Sequence, residues 1–176
     1  MRILALVGLL GCLVGCGTSG DPGRWAQRMG GTLHDARAQR AEAALAVLAP
    51  PSGEDVRVRV LDVAAVGAYA WPDGEIFVTR GLVDLLPQRE LVAAIAHEAG
   101  HLLDGRHLRG PVSLHGYSSD SDAEVRADAA GVWLLRRRGF DDRVMSSMLQ
   151  RVCASAAVSA TCRPGLRRRI GALASR

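Results

Sequence analysis

The sequence predicts an α+β fold that is mostly helical and carries one small antiparallel sheet. Hydrophobic residues make up 48% of the 176-residue chain, which is enough for the core of a single domain. Aromatic residues make up only 4%, so the core must consist mainly of Ala, Leu and Val, which favours packed helices over a β-sandwich. Apolar residues recur at helical spacing in most segments, whereas the strand and turn signals lie within residues 56–79.

The chain begins with the features of a bacterial export signal. Met1-Arg2 is followed by an apolar run from Ile3 to Val14, which suits a secretion signal and is too short for a transmembrane helix. The run ends in Leu13-Val14-Gly15-Cys16, which resembles the lipobox whose cysteine is diacylated. We therefore expect a lipid anchor at Cys16; Cys12 is a weaker match, and an ordinary cleaved signal is the alternative.

This start divides the chain into three predicted regions. Residues 1–15 form the signal peptide, residues 16–31 the lipidated cysteine with a flexible Gly/Ser/Thr-rich tether, and residues 32–176 one folded domain. Because no Asp follows Cys16, the sorting rule of bacterial lipoproteins favours the periplasmic face of the outer membrane. The net charge of +4 is too small and too dispersed to indicate nucleic acid.

The first half of the domain predicts one helix and three strands. Apolar residues at helical spacing mark a helix from His34 to Leu48, which Pro50-Pro51 ends. Valine and arginine alternate strictly from Val56 to Val60, which predicts a strand with one solvent-exposed face. Pro72-Asp73-Gly74 is a strong turn signal, so the segments on either side of it, Ala68–Trp71 and Glu75–Thr79, should form a hairpin.

The second half predicts five helices and one loop. Pro87 suits the first position of a long helix that stops at Gly105. A Gly/Ser-rich loop should follow over residues 105–120. The other helices are predicted at Gly81–Leu86, from about residue 121 to Arg138, from about residue 142 to Ala156, and at Leu166–Ala174.

The long helix carries the sequence His97-Glu98-Ala99-Gly100-His101, which indicates a metal site. Two histidines four residues apart share one helix face and can hold one ion. Two imidazoles and one carboxylate are a typical ligand set for a single catalytic Zn²⁺. The best third ligand is Glu124, 23 residues beyond His101, and Asp122 is a weaker alternative.

Two further carboxylates have predicted roles at this site. Asp128 lies one turn after Glu124 and can accept a hydrogen bond from a ligand histidine, which fixes the histidine tautomer. Glu98 is the predicted general base, which takes a proton from water activated by the metal and delivers it to the leaving amine. The alternative for Glu124 and Asp128 is an ordinary solvated helix face.

Four ordered segments resemble the gluzincin peptidases that include the HtpX heat-shock protease and the CAAX prenyl endopeptidases. They are Gly67–Ile76, Ala96–His101, Glu124–Asp128 and Arg138–Asp141, and the resemblance covers about residues 56–175. It implies a zincin-like domain that cleaves extended or unfolded polypeptides. It also implies an edge strand that binds substrate, here Glu75, Ile76, Phe77, Val78 and Thr79. The alternative is a plain strand inside the sheet.

The chain departs from this family at two positions. Gly67 stands where the family has Asn, and Arg163 stands before Pro164 where many relatives have His. Arg163 cannot bind zinc but could stabilise a carbonyl oxyanion. Tyr69, His115 and Tyr117 are rival candidates for that role.

Two features near the C-terminus have open interpretations. Cys153 and Cys162 are an even pair in an oxidising compartment, which predicts a disulfide; two buried free thiols are the alternative. The Arg167-Arg168-Arg169 run predicts a solvent-exposed helix face. The more specific alternative is contact with anionic lipid headgroups.

Together these patterns predict a lipid-anchored zinc endopeptidase that acts on envelope proteins, in a quality-control role implied by the resemblance alone. The expected partners are a polypeptide substrate and the membrane. The rival from another class is a non-catalytic lipoprotein that keeps zinc for structure and binds peptides as a chaperone or assembly factor. An intact Glu98 argues against that rival, because a structural site needs no general base.

Overall fold

Seven helices and one five-stranded sheet make up the part of the chain that the computed structural model describes, namely residues 21–49, 55–104, 112–113, 121–155 and 163–174. In chain order the elements are α1 (Pro22–Arg28), β1 (Thr32–Leu33), α2 (Ala36–Leu48), β2 (Arg57–Leu61), β3 (Ala68–Ala70), β4 (Glu75–Thr79), α3 (Arg80–Leu85), α4 (Gln88–Asp104), β5 (Val112–Ser113), α5 (Ser121–Arg137), α6 (Arg143–Ala154) and α7 (Arg163–Ala174). This mostly helical α+β architecture confirms the predicted fold class.

The sheet is mixed, and not antiparallel as predicted. Its strand order is β1-β2-β4-β3-β5, and β2 runs parallel to β4 while the other neighbours are antiparallel. The predicted hairpin is present: β3 and β4 are joined through a turn in which Gly74 has φ 86°. The sheet becomes mixed because β4 returns between β3 and β2.

The prediction that Glu75–Thr79 is an edge strand for substrate is wrong. This segment is β4, which pairs with β2 on one side and with β3 on the other. All five of its residues are buried. An extended peptide cannot add to a strand whose two edges are already paired. Its apolar Ile-Phe-Val centre fits a strand covered on both faces.

The predicted loop over residues 105–120 contains a short strand. Val112 and Ser113 form β5, which pairs antiparallel with Ala70 and Tyr69 of β3. This strand was not predicted because two residues are too few to show the alternating pattern that distinguishes a strand from a loop. Within the described residues, β5 and β1 are therefore the outer strands of the sheet.

The two faces of the sheet pack against different helices. One face contributes Val60, Ala68, Ile76 and Val78 to the main core, which residues of α2, α3, α4, α5, α6 and α7 complete. This core is built almost entirely from aliphatic residues, as the composition predicts. Burial of this aliphatic surface is the main stabilising contribution to the domain.

The opposite face is covered by α1, in a region predicted to be a flexible tether. The Trp25 ring lies 5.2 Å from the Tyr69 ring, 5.6 Å from the Trp71 ring and 5.2 Å from the Phe77 ring, measured between centroids. Asp21 caps α1 by accepting a hydrogen bond from the Gly23 N–H at 2.8 Å. The folded domain therefore includes α1 and extends on the N-terminal side of the predicted start at residue 32.

The helices α4 and α5 form the most extensive helix pair and carry the predicted metal site. The N–H of Leu91 donates to the carbonyl of Pro87 at 2.9 Å, so α4 starts where the proline predicts. The α6 and α7 helices pack beside this pair and supply Met145, Met148 and Leu166 to the core. No helix in the described part of the chain has both the length and the apolar character that a membrane span requires.

Candidate metal centre

Three side chains from α4 and α5 meet in the buried interface between these helices. The Nε2 atoms of His97 and His101 lie 3.1 Å apart. The Glu124 carboxylate lies 3.4 Å from His97 Nε2 through Oε2 and 3.5 Å from His101 Nε2 through Oε1. All three residues are buried. The structure therefore brings together the three ligands that the sequence predicts.

The spacing of these donor atoms fits one zinc ion. Tetrahedral bonds of about 2.0–2.1 Å separate neighbouring ligand atoms by about 3.3 Å. The histidine Nε2 atoms are 3.1 Å apart and Glu124 Oε1 is 3.5 Å from His101 Nε2, and both separations lie close to this value. Glu124 Oε1 is buried and has no hydrogen-bond partner among the described residues. A cation at this point would satisfy that oxygen, which otherwise carries a desolvation cost.

Asp128 lies where the sequence predicts, next to a ligand histidine. Its Oδ1 atom is 2.9 Å from His97 Nδ1, which leaves His97 Nε2 directed toward Glu124 and His101. Burial and the Arg169 charge oppose protonation of His97, but hydrogen bonds with Asp128 and Glu124 prevail and raise its pKa to about 9. The Asp128 contact matches the role of a carboxylate that orients a metal-binding histidine.

The alternative third ligand, Asp122, does not reach the site. Its side chain is 74% exposed and pairs with Arg168 at 3.6 Å. Because Asp122 and Glu124 are two residues apart on α5, they point in different directions from the helix axis. Glu124 is therefore the carboxylate that faces the histidines.

Glu98 has the environment of a reactive carboxylate. It is fully buried, and neither of its oxygens has a hydrogen-bond partner among the described residues. Burial, reinforced by the nearby Glu124 charge, raises the pKa of Glu98 to about 8. An ordinary structural carboxylate at such depth would be paired or hydrogen-bonded. A group with this pKa can both accept and donate a proton near neutral pH.

Arg169 is a member of the site that the sequence interpretation missed. Its guanidinium is buried and binds both Asp128 and Glu124. Arg167 and Arg168 are exposed, so the prediction of a solvent-exposed face holds for them and is wrong for Arg169. The apolar Leu166, three residues earlier and about one helical turn away, was the available sequence signal, and it is buried in the structure.

The proposed oxyanion and substrate groups are only partly described. Tyr69 lies on β3 in the aromatic cluster with Trp25, and burial, together with the Glu98 charge, raises its pKa. Arg163 begins α7, and its side chain lies outside the described part of the structure, as do His115 and Tyr117. These roles stay predictions.

The predicted covalent features fall mainly outside the described residues. Cys16, the expected lipidation site, and Cys162, one half of the expected disulfide, both lie there. Cys153 at the end of α6 is half-buried and has no disulfide partner among the described residues. No disulfide is present among the described residues, and the Cys153–Cys162 bridge stays a prediction.

Comparison with known sequences identifies the family. No curated protein matches this chain significantly. The sequence profile of peptidase family M48 matches residues 33–120, which contain β2 to β5 and the motif from His97 to His101. The match ends before α5 and does not include Glu124 and Asp128, which the geometry places beside His97. The chain belongs to peptidase family M48.

Proposed function

We propose that this protein is a zinc-dependent endopeptidase that cleaves extended or unfolded polypeptides at the bacterial cell envelope. The observation that carries the proposal is Glu98, a fully buried carboxylate without a hydrogen-bond partner among the described residues, beside the three metal-binding side chains. A site used only for structure has no need of this group. Membership of a peptidase family supports the same reaction class.

The ligand residues supply what zinc hydrolysis of a peptide requires. His97, His101 and Glu124 would hold the ion and leave its fourth position open. Zinc bound there would supply Lewis-acid chemistry toward a water molecule and the substrate carbonyl. Glu98 would accept the proton of the water that attacks the carbonyl carbon and would donate it to the amine nitrogen as the C–N bond breaks, so no covalent intermediate with the protein is needed. Asp128 holds His97 in the tautomer that keeps Nε2 available.

The burial of the site supports an extended substrate. His97 and Glu98 are inaccessible to solvent, and His101 is 5% exposed. A folded protein cannot bring its backbone to such a depth, which argues against folded substrates. The resemblance to the HtpX and CAAX prenyl endopeptidases supports the same substrate class, and a quality-control role follows from that resemblance.

The membrane location rests on Cys16 and the apolar run before it. Two acyl chains on this cysteine would hold the domain on the membrane without crossing it. The expected site is the periplasmic face of the outer membrane. A Cys16→Ser variant should lose incorporation of labelled palmitate and move from the membrane to the soluble fraction. Retention of the variant in the membrane fraction would contradict the anchor.

The test of the proposed activity is zinc content and casein cleavage measured on the same preparations. Wild type should contain one zinc per chain and cleave casein, and Glu98→Gln should keep the zinc and lose at least about 10²-fold in rate. Glu42→Gln is the matched control, because Glu42 is an exposed glutamate on α2. Full cleavage by Glu98→Gln would contradict the mechanism.

The same measurement separates the rival function. A non-catalytic peptide-binding lipoprotein would hold one zinc and cleave nothing, with or without Glu98. In the described part of the chain the metal-binding group consists of His97, His101 and Glu124, with no fourth Cys, His, Asp or Glu. This open arrangement favours the peptidase, because closed structural sites use four protein ligands.

A further inference from the structure

We infer that Arg169 of α7 is a positioning residue of the metal centre, which fixes the orientation of Glu124 and Asp128 toward the ion and toward His97. The inference rests on the proposed zinc site. It assigns to the last helix of the domain a role in metal binding. Neither the family match, which ends at residue 120, nor the ligand motif includes this helix.

All three nitrogens of the Arg169 guanidinium bind carboxylates of α5. Nε donates to Asp128 Oδ2 at 2.8 Å, and Nη2 donates to Asp128 Oδ1 at 2.7 Å. Nη1 donates to Glu124 Oε2 at 3.0 Å. A guanidinium that binds one carboxylate through two nitrogens fixes both its distance and its plane. The contact therefore restricts the rotation of Asp128 and holds Glu124 by one oxygen.

The bond to Glu124 selects the oxygen that remains for the metal. Oε2 is occupied by Arg169, whereas Oε1 is buried and has no partner among the described residues. Oε1 is also the oxygen nearer to His101 Nε2, at 3.5 Å. Arg169 thus presents Glu124 as a ligand through one oxygen, with the other oxygen held in place.

The bond to Asp128 acts on the first histidine. Asp128 Oδ1 receives Nη2 of Arg169 and also lies 2.9 Å from His97 Nδ1. Because Arg169 fixes the Asp128 carboxylate, the hydrogen bond between Asp128 and His97 Nδ1 favours one orientation of the His97 ring. Groups that support a ligand in this way contribute to metal affinity without touching the ion.

Arg169 also compensates for the buried negative charge of the site. Glu98, Glu124 and Asp128 are three buried acidic groups in one small region, and Arg169 is 3% exposed. Removing carboxylates from water is costly unless an opposite charge and hydrogen bonds compensate for the lost hydration. Arg169 supplies that charge through its ion pairs with Glu124, at 3.0 Å, and with Asp128, at 2.7 Å.

The test compares Arg169→Gln and Arg169→Lys with the control Arg167→Gln, which changes an exposed arginine on the same helix. Zinc affinity is measured by competition with a chromogenic chelator, and ligand geometry by the visible absorption of the Co²⁺-substituted proteins.

We expect zinc binding to weaken about 10–100-fold in Arg169→Gln. Arg169→Lys should weaken it by at least about 10-fold, because an ammonium cannot reproduce the planar fork. The Co²⁺ spectrum should change in both, and Arg167→Gln should match wild type.

Three results would overturn the inference. Zinc binding by Arg169→Gln within twofold of wild type would show that the guanidinium does not position the ligands. Full recovery in Arg169→Lys would show that only a positive charge is needed. An unchanged Co²⁺ spectrum would show that ligand geometry does not depend on Arg169. If Arg169→Gln does not fold, Arg169→Lys retains the buried charge and carries the test. Failure of wild type itself to bind zinc would instead refute the proposed function.

Discussion

The α carbon of Gly100 lies against the backbone of Ala127, so that a Cβ atom built on Gly100 would be 2.4 Å from the Ala127 carbonyl oxygen. This is the point at which α4 crosses α5. His97 and His101 lie beside Gly100 on α4, and Glu124 and Asp128 lie beside Ala127 on α5. The glycine inside the motif is therefore needed for the helix distance that brings the ligands together.

Gly100→Ala should destabilise the protein and weaken its metal site at the same time. The clash is with backbone, so the helices must move apart, at an expected cost of about 1–3 kcal/mol in the free energy of unfolding. Urea unfolding of the metal-free proteins and chelator competition for zinc measure the two effects.

Gly171→Ala is the control for this substitution. Gly171 lies inside α7, and a Cβ atom there would meet nothing within 4 Å. Alanine in a helix interior should stabilise the protein by about 0.5–1 kcal/mol relative to glycine. Equal stability and equal zinc binding for Gly100→Ala and wild type would refute the role of the close helix approach.

Asp128→Asn should retain the fold and lower zinc affinity. The amide keeps the shape of the carboxylate but carries no charge, so it holds His97 less firmly and loses its ion pair with Arg169. We expect zinc binding to weaken about 10–100-fold in chelator competition. Asp122→Asn is the control and should bind zinc like wild type, because Asp122 lies at the surface. A larger loss for Asp122→Asn than for Asp128→Asn would reverse the assignment of the two residues.

Trp25→Ala should destabilise the domain, because Trp25 joins α1 to the sheet. Its ring contacts three aromatic rings but remains half-buried, so we expect a loss of about 1–3 kcal/mol, below the usual range for a fully buried tryptophan. Trp133→Ala is the matched control, since Trp133 is 45% exposed, and it should change stability by less than about 1 kcal/mol. Urea unfolding measures both changes. If residues 16–31 were a flexible tether, as expected from sequence, Trp25→Ala would be as stable as wild type.

The parts of the fold with strong local signals were predictable from sequence. The long helix α4, the hairpin around Pro72-Asp73-Gly74 and the cluster of predicted ligand side chains on α4 and α5 are all present. Each depends on spacing within one helix or one turn, and such spacing is fixed by local geometry. To predict Glu124 as the third ligand, it was enough to assume that two neighbouring helices face each other.

The parts that depend on long-range pairing were not predictable. The position of β4 inside the sheet depends on its pairing with β2, which no local pattern specifies. The packing of α1 depends on the aromatic residues of β3 and β4, and a short Gly-rich segment gives little indication of it. Arg169 was misassigned because two exposed arginines precede it, and the apolar Leu166 one turn earlier does not specify that α7 packs this face against α5.

Glu90 links the start of α4 to α6, and this link should depend on pH. Its carboxylate accepts hydrogen bonds from Ser147 Oγ at 2.6 Å and from Arg151. Burial alone would raise the pKa of Glu90, but these bonds and the Arg151 charge prevail and lower it below 4.5. Because the folded-state pKa is the lower one, the ionised form stabilises the fold at neutral pH. This contribution is lost as the pH falls below about 4.5 and the carboxylate takes up its proton.

The expected result is a stability difference between wild type and Glu90→Gln that shrinks with acidity. At pH 7 the variant should be less stable by about 1–3 kcal/mol, the usual cost of breaking hydrogen bonds to a charged group. The difference should decrease as the pH falls below about 4.5, the ordinary pKa of a glutamate. Urea unfolding between pH 7 and pH 3.5, with a chelator present to exclude the metal, measures it. Glu42→Gln should show no such trend, because Glu42 is exposed. A difference that stays constant over this range would show that the Glu90 charge does not stabilise the contact between α4 and α6.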